Sequence, residues 1–81
     1  MFKLKTKDGK NNICGKNIYA LRKAMIPKMS QRALAEQLQL LGMDVDKNAI
    51  QRIESGQRFV TDIELKILCM ALNVTIEQLL N

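Results

Sequence analysis

The chain has 81 residues, 47% of them hydrophobic but only 4% aromatic, with no histidine, no tryptophan and a formal net charge of +5. That length sets one small domain whose core must come from Leu, Ile, Val, Met and Ala, and the missing histidine removes Ser-His and Cys-His nucleophiles. No apolar run approaches the roughly 20 residues of a membrane span, and the polar, lysine-rich start from Met1 to Asn12 is unlike a secretory signal.

The charge is unevenly spread: residues 1–35 hold nine Lys/Arg and one Asp, whereas residues 36–81 hold four Lys/Arg and seven acids. A basic end favours a polyanionic partner, although solubility alone explains it as well. Residues 1–12 show no helical period. Phe2 and Leu4 alternate with Lys3 and Lys5, which permits a short strand, but a flexible basic arm is the expectation, with the folded domain spanning 13–81.

A first helix is predicted from about Lys16 to Met25, because Ile18, Leu21 and Met25 make one apolar stripe and Pro27 disfavours helix at Ile26. Ser30 is an N-cap for a second helix, with Leu34, Ala35, Leu38 and Leu41 inward and Gly42 as its stop. Asp46 caps a third, with Ile50 and Ile53 inward, Val45 stapled onto Ile50, and Gly56 closing it. Thr61 and Glu64 have capping-box spacing and open a fourth helix with Leu65, Leu68, Cys69 and Leu72 buried. Asn73 and Val74 end it, and Thr75 with Gln78 repeats the box for a last short helix carrying Ile76, Leu79 and Leu80. The predicted fold class is therefore all-α, a compact five-helix bundle.

Chemistry of the enzymatic kind finds no support. The acids lack metal-ligand spacing and no Gly-rich phosphate loop occurs, so no metal, cofactor or catalysis is expected. Cys14 and Cys69 are far apart in sequence, and a reduced cytoplasmic setting with free thiols is favoured over a disulfide between them. Cys69 falls on a buried helical face, while Cys14 is expected to be exposed.

The third helix carries the functional signal. Lys47, Asn48, Gln51 and Arg52 point away from Ile50 and Ile53. The DNA major groove admits one helix; Arg and Lys suit guanine O6/N7, and Asn and Gln suit adenine N6/N7. A solvated helix surface carries the same residue types, so the quartet alone leaves both readings open.

The wider pattern is more specific. Ser30-Gln31-x-x-Leu34-Ala35-Glu36-x-Leu38, then Ile50-x-x-Ile53-Glu54-x-Gly56, then Ala71-Leu72-Asn73-Val74, resembles the Cro/phage-repressor helix-turn-helix family over roughly residues 16–80. The resemblance implies a lambda-repressor-like five-helix domain, binding to double-stranded DNA and transcriptional regulation, with repression the expected mode and a dimer the frequent state. It further implies that Gln31 contacts the DNA backbone and often a base edge, and that Lys47, Asn48 and Arg52 reach bases. Gln51 falls at the rim, nearer a phosphate. Arg58 matches a backbone-contacting position, with a freely solvated loop charge as the equal alternative. Lys16 and Lys28 are weaker phosphate candidates. Arg22 and Glu54 match a structural ion pair that locks the third helix against the first.

Three departures stand out. From Leu38 to Ile50 the chain carries about five more residues than the family's usual short turn, so either the second helix gains a turn or the loop lengthens. The Arg22–Gln31 segment is also longer, by about two residues. Asp46 caps the third helix where Thr or Ser is common. The competing function is a protein-interaction module, an antitoxin or adaptor, whose partner is a toxin or another regulator. The stripe Val74, Ile76, Leu79 and Leu80 is expected to seal the core, with pairing of two subunits as the alternative.

Overall fold

A computed structural model describes residues 5–81, and the Phe2–Leu4 alternation lies outside them. Among the described residues there is no strand and there are five helices: α1 (Gly15–Ala24), α2 (Gln31–Leu40), α3 (Lys47–Glu54), α4 (Asp62–Leu72) and α5 (Ile76–Leu80).

Local chemistry sets the helix starts. Ser30 accepts from the Ala33 N–H at 3.0 Å and Asp46 from the Ala49 N–H at 2.8 Å. Thr61–Glu64 and Thr75–Gln78 are both complete capping boxes. Each satisfies amide donors that the first helical turn leaves without an intrahelical partner.

Three helix ends share one device. Gly42, Gly56 and Asn73 take left-handed φ values of +95°, +82° and +54°. In each the left-handed residue and its successor donate back to the last turn: Gly42 to Gln39 and Met43 to Leu38, Gly56 to Ile53 and Gln57 to Arg52, Asn73 to Met70 and Val74 to Cys69. This is the Schellman closure, and it requires a residue that tolerates positive φ.

The core joins Ile18 of α1, Leu34, Ala35 and Leu38 of α2, Ala49, Ile50 and Ile53 of α3, Leu68 and Leu72 of α4, and Leu79 of α5. The α3 helix packs on both α1 and α2, α2 also meets α4, and α5 contacts α1 and α4. The α3 helix is thus held from two sides.

Several expectations need correction. Cys14 is buried, not exposed, at 1%. Burial pushes its thiol pKa up to about 11, and desolvation also raises that of the half-buried Cys69. Leu41 is exposed because α2 ends at Leu40, one residue before it could turn inward. Ile76 is exposed at the first position of α5, so Leu79 alone of the terminal stripe is fully buried, with Val74 and Leu80 packed partly against the core.

Candidate nucleic-acid interface

At 3.6 residues per turn, the side chains of Lys47, Asn48, Gln51 and Arg52 fall within an arc of roughly 140° around the α3 axis. All four are exposed, while Ala49, Ile50 and Ile53 occupy the opposite arc and are buried. The helix therefore presents one polar face with both donors and acceptors and one apolar face turned into the core.

What fixes the roll is a buried polar junction. Arg22 Nε and Nη2 donate to the two Glu54 carboxylate oxygens at 2.7 and 2.9 Å, a bidentate pair, and Nη1 donates to the Met29 carbonyl at 2.8 Å. Gln31 Nε2 donates to Glu54 Oε1 at 3.0 Å. One carboxylate at the end of α3 thus ties together α1, the α1–α2 loop and the start of α2. The Glu54 hydrogen bonds raise the Arg22 pKa above its ordinary value, against the opposing effect of burial, so the guanidinium stays charged. Its Cζ also lies 5.5 Å from the Tyr19 ring centroid, a cation–π distance.

The connection between α2 and α3 runs from Leu41 to Asp46. It is anchored, because Met43 and Val45 are buried and Gln39 Nε2 donates to the Val45 carbonyl at 2.6 Å. Asp44 and Asp46 remain at the surface. With Gln39, Val45, Ala49, Arg52 and Arg58 they line a polar cleft of about 330 Å³ beside the α3 face. Acidic groups therefore flank Arg52.

Arg58 is not a freely solvated charge. Its Nη1 and Nη2 meet the Glu64 carboxylate at 3.2 and 2.9 Å, and Nη1 also donates to the Phe59 carbonyl at 3.2 Å. The Arg58 hydrogen bond is the main cause holding the Glu64 carboxyl below its ordinary pKa. Lys16 and Lys28 are both exposed.

A further set of residues lies where the sequence offers little signal. Lys10 Nζ donates to the Ser55 carbonyl at 2.9 Å, the Asn11 N–H to that of Gly56 at 2.7 Å, and Asn11 Nδ2 to that of Gln57 at 2.8 Å. Asn12 Nδ2 donates to the carbonyls of Ile53 and Arg58 at 3.0 and 2.7 Å. The one sequence cue is a pair of asparagines ahead of a helix, a residue type that binds backbone readily.

A family model described as helix-turn-helix matches residues 18–79. The chain belongs to the Cro/phage-repressor helix-turn-helix family. This helix-turn-helix domain is thereby a DNA-binding regulatory one. No curated protein and no solved structure matches the chain significantly. Among the described residues, no helix of the domain is long and apolar enough to cross a membrane.

Proposed function

We propose that the chain is a sequence-specific transcriptional regulator, acting as a repressor, that inserts α3 into the major groove of double-stranded DNA. The observation that carries this reading is the exposed quartet Lys47, Asn48, Gln51 and Arg52 on a helix whose opposite face is buried against α1 and α2. Lys47 and Arg52 supply donors for guanine O6/N7, and Asn48 supplies a donor and acceptor for adenine N6/N7. Gln51 reaches the rim and a phosphate. Gln31 spends one amide proton on Glu54 and keeps the other for the DNA backbone.

Arg58 retains N–H donors beyond those facing Glu64 and Phe59 and serves as a phosphate contact, weakened by the carboxylate it already neutralises. Asp44 and Asp46 repel phosphates, so α3 approaches through base edges at its first turn, with the strands held by the basic residues of α1, α2 and the arm. In that arm the lysines ahead of Lys10 add sequence-independent attraction, while Lys10, Asn11 and Asn12 are bound to the end of α3.

Selection of bound sites from random duplex DNA tests the proposal. The expected result is an enriched motif whose affinity falls steeply with salt. A second reading, a protein-interaction module, draws on exposed apolar side chains: Leu40 is 80% exposed, and Ile63 and Met70 on α4 are 70% and 58% exposed. If a second copy covers them, the selected motif is a palindrome with half-sites about 34 Å apart. If a toxin or another regulator covers them, no motif is enriched and DNA affinity is weak and sequence-blind.

A further inference from the structure

We propose that Asn12 is a positioning residue for the DNA-reading helix: by joining the start of α1 to the end of α3, it sets the pose in which α3 meets base edges. The proposal rests on the DNA-reading function above and adds a determinant that lies outside the stretch matched to the family, residues 18–79.

A helix end leaves carbonyls without intrahelical donors, and the loop that follows adds more. Here the carbonyls of Ile53, Ser55, Gly56, Gln57 and Arg58 are all bound by three consecutive residues, Lys10, Asn11 and Asn12. These contacts span 41 to 46 positions of sequence. The end of α3 is therefore fastened to a segment that belongs to no helix.

Asn12 is the hinge point of that fastening. Both Nδ2 protons are used, one on each side of the Gly56 closure, at Ile53 and at Arg58. Its Oδ1 accepts from the Gly15 N–H at 2.8 Å. It thereby replaces the missing cap of α1, since Cys14 at the N-cap position makes no side-chain capping bond. No other side chain offers two donors and an acceptor at this length: aspartate lacks the donors and serine has one. Gly15 completes the joint. A Cβ there would overlap the Ile53 carbonyl, so only glycine lets α1 start this close to the end of α3.

The geometric consequence follows from where the bonds fall. The Glu54 junction fixes the roll of α3 about its own axis. The Asn12 bonds hold the main chain at that same C-terminal end, at Ile53, and the path of Gln57 and Arg58. A helix whose C-terminal main chain is not held can tilt between its neighbours, and that tilt displaces Lys47 and Asn48 relative to Arg58. Base readout is lost by displacements of this kind well before phosphate attraction is, because base contacts demand hydrogen-bond geometry and phosphate attraction does not.

The test measures discrimination, which a merely structural residue would leave unchanged in folded protein. Duplex affinity is measured for the selected site and for random duplex, at a temperature where circular dichroism shows each variant fully folded. Asn12→Ala is expected to lower the ratio of the two affinities about tenfold with random-duplex affinity within twofold of wild type. Asn11→Ala is expected to lower it about threefold. This second variant removes only the bond to Gln57 together with a buried, unpartnered Oδ1, so it folds even if Asn12→Ala does not. Leu72→Ala on α4 is the control and is expected to keep the wild-type ratio despite lower stability. Unchanged discrimination in the folded asparagine variants overturns the proposal while leaving the DNA-reading function intact. If wild type itself prefers no sequence, that function and this proposal fall together.

Discussion

Arg22 and Glu54 stand 32 positions apart in the chain and meet at 2.7 Å with side chains only 5% and 6% exposed. The pair belongs to the matched family region, yet its energetic meaning comes from burial. Two charges have been taken out of water, and the cost is offset only by complete pairing: two bonds to each other, one to Met29, one from Gln31.

Breaking either partner alone should therefore be expensive. Arg22→Met or Glu54→Gln is expected to cost about 3–5 kcal/mol in the first case and somewhat less in the second, where a neutral amide remains. Arg22→Met combined with Glu54→Gln should cost less than the sum of the two single losses. Urea denaturation of the four proteins in a double-mutant cycle checks this, and additive losses would mean the two groups do not depend on each other.

Arg58 and Glu64 form a second pair, partly exposed, and it gives a pH dependence. The folded Glu64 carboxyl is held below its ordinary value of 4.5, chiefly by the Arg58 hydrogen bond. The stability it contributes is fully present above that value and is lost as pH falls through the depressed folded pKa. Glu64→Gln should thus cost about 1 kcal/mol at pH 7 and progressively less as pH falls below about 4.5. Thermal melts of both proteins across that range measure the convergence.

The two cysteines should differ in reactivity. Cys14 is 1% exposed with a thiol pKa near 11, which leaves roughly one thiolate in a thousand at pH 8 even before access is considered. A thiol-specific reagent at pH 8 should modify the half-buried Cys69 first, and Cys14 only as fast as the domain opens. Peptide mapping after timed labelling reads the order, and faster labelling of Cys14 would show that the α1 start is not packed as described.

Two glycines should respond differently to alanine. Gly15→Ala places a Cβ against the Ile53 carbonyl and is expected to cost about 1–3 kcal/mol, because backbone must shift. Gly42→Ala meets nothing within 4 Å but sits at φ +95°, so its penalty is conformational, about 1 kcal/mol. Differential scanning of the two variants should place Gly15→Ala lower in Tm.

Local chemistry explains which parts of this architecture were legible in the sequence. Ser30, Asp46, Thr61 and Thr75 act within three residues of themselves, and Gly42, Gly56 and Asn73 within one turn, so their roles can be read from short windows. The exposed face of α3 follows from period alone. What failed was decided by distance in the chain. Cys14 reads as exposed because it lies before the predicted start of the first helix and on no apolar stripe, and it is buried because Asn12 draws the α1 start against α3. Leu41 and Ile76 satisfy an inward period but lie at helix ends, where the period stops applying. Gln31 meeting Glu54 and Arg58 meeting Glu64 are matters of which of several polar neighbours lies nearest after folding. The carbonyl-binding role of Lys10 has no local pattern, and the Asn11-Asn12 pair says only that some backbone group is bound, not which.

The most direct test of the central claim, that α3 reads base edges through its exposed quartet, is site selection from random duplex DNA with wild type, Asn48→Ala and Arg52→Ala in parallel. One enriched motif is expected for wild type, and for each variant the same motif with relaxed preference at one position, worth about 1–3 kcal/mol of discrimination. Absence of any enriched motif for wild type at low salt, or variants that keep every position of it, would contradict the account.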